Sequence, residues 1–372
     1  MTHYYIDEKE KIKELAQNDR KFELTVVSYY LMKERLHEIF KKSKKERAGV
    51  ILGIGADTTL FTLIEQFLEQ SNDEKLEEYL NEISEISELS LNKYFNAYDI
   101  SSIFLAEKLQ LAAFQKSLLT ACTSSTQAIG FAFNSIQNNE ADIVLAGGTD
   151  SIVNLPAFIS FDKLGALAPQ SEILGETCKP FDNSRQGTLA SEAAGLCVLA
   201  SESFVKEHDL SPKFELLGFG NTLDAYKITA PDPTGKGMKR AVKQAIDSAK
   251  ISNNDIDYIN THGTGTNLND QAEANAFIDV FGDDLQKIPF SSTKDRHGHA
   301  IAAAGIQEFA VLCASMEQNL IPHTINLKNP IPKEGFNPVK DKNIEKEINV
   351  GMSCNYAFGG VNSVLIIKKI ND

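Results

Sequence analysis

The stretch that decides the fold reads SLLTACTSSTQAIGFAFNSIQ, residues 117–137. It begins like a strand and finishes like a helix, with Cys122 at the junction. A cysteine placed there lies at a helix N-terminus, where the dipole and the free backbone N–H groups favour thiolate. The competing reading is a small buried hydrophobe, the usual fate of a free cysteine. The polar neighbours Thr120, Thr123, Ser124 and Ser125 keep the reactive reading open.

Outward from this segment, apolar strands alternate with helical stretches. AGVILGIG (48–55) is a short strand running into a glycine turn. Its G-x-G lacks the third glycine and the downstream acidic partner of a dinucleotide site. ADIVLAGGTDS (141–151) is a buried strand, and FELLGFGN (214–221) is another, followed by a helix over 236–250. IDYINTHGTGT (256–266) is a strand entering a Gly/Thr loop. The segment 288–316 is a strand, a polar loop and an Ala-rich helix, and 348–370 is two strands around a glycine turn. Residues 6–46 and 57–93 have helical periodicity. The alternation implies a layered α/β fold. The chain divides near 206–213 into an N-terminal half, 1–210, and a C-terminal half, 211–372.

The 372 residues carry a net charge of -14, which disfavours broad nucleic-acid or anionic-membrane binding. The five cysteines, Cys122, Cys178, Cys197, Cys313 and Cys354, form no C-x-x-C pair and are odd in number. That argues against a zinc site or a disulfide framework and for a reducing compartment. The charged N-terminal segment has no apolar h-region, and no apolar run is long enough to cross a bilayer. These features together lead us to expect a cytoplasmic protein.

Four polar islands stand at strand ends. The first surrounds Cys122. The second, Asn260-Thr261-His262-Gly263-Thr264-Gly265-Thr266, offers hydroxyls and open backbone to an extended amide-bearing ligand, or is a structural turn. The third, Lys294-Asp295-Arg296-His297-Gly298-His299, precedes a helix carrying Glu308. Its two histidines lack nearby Cys or carboxylates at ligand spacing, so the metal signal is weak, and His297 reads as a surface loop residue. The fourth, Asn355-Tyr356-Ala357-Phe358-Gly359-Gly360, permits positive φ and an N–H donor aimed at an oxyanion, or is a plain hairpin. A cysteine, two histidines and a glycine-rich donor loop are the set that thioester condensation needs.

In order along the chain, TACTSS, DIVLAGGTD, KPFDNSRQGTLASEAAG, NTHGTGT, SSTKDRHGHAIAAAGIQE and NYAFGG resemble the motifs of the β-ketoacyl-acyl carrier protein synthases of KAS I/II type. The resemblance runs from about residue 20 to the C-terminus. It implies a thiolase-like, five-layered αβαβα fold of two related halves, usually a homodimer, with a heterodimer beside a chain-length partner as a variant. It implies that Cys122 carries the acyl chain, and that His262 and His299 drive decarboxylation and hold the enolate. Lys294 and Glu308 would support the site, and the N–H groups of Cys122 and Phe358 would form the oxyanion hole. Thr264 and Thr266 would contact the phosphopantetheine arm, with Asp224 and Thr229 further out. No cofactor is implied beyond the phosphopantetheine of the acyl carrier protein, and no metal. The product would serve fatty acid or polyene/polyketide synthesis. The chain departs from the pattern in three places. Tyr356 stands at an aromatic gate, Lys227 stands where many relatives have histidine, and the usual opening strand, V-V-x-T-G-x-G, has no counterpart. A degradative thiolase, with a second catalytic cysteine in a C-x-G loop near the C-terminus, fits poorly because Cys354 is followed by Asn355 and Tyr356. A non-catalytic partner or scaffold subunit is the alternative.

Overall fold

The computed structural model describes residues 19–56, 98–173 and 175–370. Helix α1 (Arg20–Phe40) starts where the Asp19 carboxylate accepts the N–H groups of Lys21 and Phe22 at 2.9 and 3.1 Å. That satisfies two donors a helix start would otherwise leave open. α1 buries Phe22, Val26, Tyr29, Leu36 and Phe40. It ends at Phe40, short of the expected 46, and a turn leads into β1 (Ala48–Ile54). The helical expectation for 6–18 and for 57–93 lies outside the described residues.

The chain continues through α2 (Ile100–Leu109), β2 (Gln115–Leu118), α3 (Ser124–Gln137), β3 (Ile143–Ser151), α4 (Leu155–Lys163), β4 (Glu192–Ala200) and α5 (Glu202–Glu207). The second half contains β5 (Phe214–Leu223), α6 (Lys236–Ala249), β6 (Tyr258–Asn260), α7 (Asn267–Phe281) and β7 (Phe290–Ser291). It ends with α8 (Lys294–His297), α9 (Ala304–Gln318), β8 (Leu320–Ile321), β9 (Ile344–Glu345), β10 (Val350–Tyr356) and β11 (Val361–Lys369). The segment expected to be a polar loop after β7 thus contains the single turn α8.

One sheet has the order β2-β1-β3-β4 and the other β7-β6-β10-β11-β5. In each, three parallel strands meet one antiparallel strand, β4 or β11. The halves therefore repeat one topology. The second sheet has an extra antiparallel strand, β5, on the outer edge of β11. Among the described residues no strand takes the same place beside β4.

Apolar clusters define five layers. Phe22, Val26 and Tyr29 of α1 and Leu105 of α2 pack on one face of the first sheet. Ile129 and Ala132 of α3 and Ile306 of α9 fill the space between the sheets, against Ile51 and Leu365. Met238 and Ala241 of α6 and Phe277 of α7 cover the far face of the second sheet. This is a thiolase-like α/β arrangement of alternating helix and sheet layers. The ends of β2, β6 and β10 meet between the halves, and the polar islands converge there.

Candidate active site

Cys122 sits on a bend that the sheet makes room for. After β2 the chain turns through Ala121, whose φ of 48° is unusual for a residue with a side chain. A one-turn helix, Ala121–Thr123, then feeds α3. The start of α3 lies directly on Gly53 of β1, where a Cβ would stand 2.3 Å from the Ser125 nitrogen. A Cβ at its register partner Gly148 of β3 would stand 2.7 Å from Ser125 Cβ. Those glycines let the helix end approach, and Cys122 is held at the floor of a cavity of about 310 Å³.

The helix-end reading of Cys122 anticipated thiolate. In the resting site burial dominates and pushes the thiol up to about 12, against the opposing effects of Lys294 and the Phe358 N–H. The thiol is therefore neutral. His299 Nε2 lies 3.1 Å from Cys122 Sγ. Burial, then Lys294, holds both His299 and His262 well below their ordinary values, so both imidazoles are neutral as well.

His262 follows β6. Its ring lies 5.2 Å from that of His299 at 82°, and 5.9 Å from Tyr356. Its Nδ1 faces two donors, Lys294 Nζ and Asn355 Nδ2, each at 3.3 Å. Both push the ring hydrogen onto Nε2, so that nitrogen is a donor. The Lys294 ammonium is fully buried and pairs with the fully buried Glu308. Glu308 also accepts from Asn355 Nδ2, and Lys294 donates to the His262 carbonyl oxygen. Asn355 in turn accepts from Thr126 of α3, tying the two halves together.

The Gly/Thr loop is built around two carboxyl groups that the sequence reading passed over. Glu273 accepts the N–H groups of His262 and Gly263, both at 2.8 Å. Asp270 accepts from Thr264 at 3.0 Å and from Gly265 at 3.2 Å. Burial raises both carboxyls, Glu273 to about 8. Their three-residue spacing on α7 puts both on one face, which is the signal that was available. Asn355 carried no comparable signal.

The remaining expected residues divide between the cavity and its rim. Thr264, Thr266, Thr229, Tyr356 and Phe358 line the cavity. Tyr356 is buried in the wall beside His262. Asp224 lies at the rim, where it accepts from Asn362 Nδ2 at 2.8 Å and from the Asp232 N–H at 2.9 Å. Its own N–H donates to the Gly360 carbonyl oxygen at 2.7 Å. Lys227 is exposed there. His297 is half-buried rather than a surface residue, with Nε2 2.9 Å from Thr293 Oγ1, and it is not among the residues lining the cavity. The ligand atoms of Cys122, His262 and His299 lie within 4.8 Å of one another. With the Lys294 and Asn355 donors at Nδ1, the His262 Nε2 of this cluster carries the ring hydrogen.

A cysteine and two neutral imidazoles meet at a common cavity, with the Phe358 N–H opposing the rise of the thiol. Residues 20–204 match "Beta-ketoacyl synthase, N-terminal domain", and 214–328 match "Beta-ketoacyl synthase, C-terminal domain". The chain belongs to the β-ketoacyl synthase family. It is 33% identical over 274 residues to "3-oxoacyl-[acyl-carrier-protein] synthase 2" of Coxiella burnetii, spanning 74% of this chain and 66% of that protein. It is 35% identical over 252 residues to the protein of the same name from Staphylococcus aureus, spanning 68% and 60%. The matches thus span less than two thirds of these relatives. Among solved structures it resembles the ishigamide ketosynthase/chain length factor (TM-score 0.74, 30% identity, 87% of this chain and 76% of that one). It also resembles a ketosynthase in complex with its chain length factor from Xenorhabdus doucetiae (TM-score 0.77, 29%, 97% and 84%).

Proposed function

We propose that the chain is a condensing enzyme that joins an acyl group carried on Cys122 to a malonyl thioester, with loss of CO₂. The 3.1 Å contact between Cys122 Sγ and His299 Nε2, with His262 beside it, carries this reading. The thiol proton leaves through His299 as sulfur attacks the incoming thioester, and the carrier thiol departs. The malonyl thioester then takes its place. His262 Nε2–H, fixed as a donor by Lys294 and Asn355, and the His299 imidazole stabilise the enolate oxygen as CO₂ leaves. The enolate carbon attacks the acyl-Cys122 carbonyl, the N–H groups of Cys122 and Phe358 hold the oxyanion, and the thiolate is released.

Acyl carrier protein is the proposed donor, with Thr264, Thr266 and Thr229 along the phosphopantetheine path and Asp224 bracing the rim. The carrier's expected acidity makes basic side chains near the rim, Lys227 among them, its steering groups. The arm comes with the carrier, and we propose no other cofactor. A homodimer is the proposed assembly; pairing with a chain-length partner is supported by the similar ketosynthases above, which are found with a chain length factor. Among the described residues no helix is long and apolar enough to cross a membrane, and the cytoplasm is the proposed compartment. The pathway is fatty acid or polyene/polyketide synthesis, and chain-length profiling of Tyr356→Phe tests whether the tyrosine hydroxyl helps select the acyl group.

Intact-mass detection of acyl transfer from acyl-carrier thioesters, with Cys122→Ala as control, followed by malonyl-carrier protein and detection of the 3-ketoacyl product, tests the activity. Folded protein that takes up no acyl group would favour the non-catalytic partner or scaffold.

A further inference from the structure

We propose that Asp150, near the end of β3, is a positioning residue for His299. The inference rests on the condensing function above. Asp150 is 2% exposed. Its Oδ2 accepts the N–H of Ala302 at 3.0 Å, and its Oδ1 accepts the N–H of Ser151 at 2.8 Å. Ala302 is three residues beyond His299. Between them Ile301 has φ of 37°, a left-handed conformation that a β-branched residue resists. Ile301 also packs against Cys122 and lines the cavity. On its other side the His299 N–H donates to the Leu189 carbonyl oxygen at 2.7 Å. The catalytic imidazole is thus slung between two anchors, and the rear one is a carboxylate holding a strained turn.

The surroundings are shaped to this carboxylate. Gly55, just past β1, lies against it so closely that a Cβ there would fall 1.8 Å from Asp150 Oδ1. Lys21 of α1 donates to the nearby Ala56 carbonyl oxygen at 2.8 Å and favours the ionised form. Burial raises the carboxyl only to about 6, so at neutral pH both oxygens accept hydrogen bonds. A carboxylate can accept two backbone N–H groups on two oxygens. An asparagine has one oxygen and must turn its NH₂ toward one of them.

The test uses Asp150→Asn in the full chain. Acylated Cys122 is counted by intact mass, and the single-turnover condensation rate is measured per acylated site. A merely structural role lowers the acylatable fraction and leaves the per-site rate intact. The positioning role leaves that fraction near complete and lowers the per-site rate about 10- to 100-fold, the effect of losing one charge-assisted hydrogen bond. Glycine tolerates the left-handed turn, so Asp150→Asn should cost severalfold less in an Ile301→Gly background. An equal cost in both backgrounds overturns the proposal. Amide hydrogen exchange over residues 299–305 is independent of activity. Faster exchange there in Asp150→Asn is expected, and unchanged exchange overturns the proposal even if the wild type proves inert, which would refute the condensing function by itself.

Discussion

The buried pair Lys294–Glu308 permits a quantitative test of how the site is held. Both side chains are fully buried. Glu308→Leu strands the ammonium in the interior, where among the described residues it keeps the His262 carbonyl oxygen and Nδ1. Breaking one side of such a pair costs about 3–5 kcal/mol, and the surviving contacts place this variant near about 3 kcal/mol. Lys294→Met leaves the Glu308 carboxyl with Asn355 alone. Burial already raises that carboxyl, and Lys294 opposes the rise, so the loss is again about 3 kcal/mol. The double variant removes both charges and leaves two neutral groups, Asn355 Nδ2 and the His262 carbonyl, each short of a partner. Its cost is about 1–2 kcal/mol. The singles together therefore overshoot the double by about 4 kcal/mol, far outside the additivity of independent sites. Urea unfolding at pH 7 of all four proteins gives the cycle. Additive losses would refute the claim that this pair is one desolvated unit.

Other outcomes follow from the same geometry. Only the thiolate is alkylated, and burial holds the Cys122 thiol near 12, so the rate of Cys122 modification by iodoacetamide should climb about tenfold per pH unit from 7 to 10; a plateau near pH 7 would contradict the neutral resting thiol. Glu273 lies near 8 in the folded protein against an ordinary 4.5, so the native state binds more protons and its contribution falls as pH rises between those values, by about 1.4 kcal/mol per unit at most. Glu273→Gln should flatten the decline in unfolding free energy between pH 6 and 8.5, and an unchanged slope would assign the decline to other groups. Gly53→Ala sets a methyl against the backbone of Ser124 and Ser125; it should lower stability by about 1–3 kcal/mol and slow acylation of Cys122, whereas normal acylation would show that α3 can retreat without moving the sulfur.

Much of the fold was legible because its signals are local. Apolar runs ending in glycine marked β1, β3, β5 and β6, and the strand-to-helix change at Cys122 marked the elbow. Cys122, His262 and His299 each had a bland structural reading alone, and it was the set of islands in order along the chain that carried the family. What the sequence could not supply depends on who meets whom across the fold. Asn355 orients His262 only because β10 brings it beside Lys294, and Asp270 and Glu273 hold the Gly/Thr loop only once α7 docks beneath it. The charge states also reversed an expectation. A helix N-terminus suggested thiolate, but burial depends on atoms hundreds of residues away, and desolvation of Cys122 outweighs the opposing pull of Lys294 and the backbone N–H groups. Chain order set which groups are present, while tertiary packing set which proton each one carries, because solvent exclusion and hydrogen-bond partners exist only once the two halves close on each other.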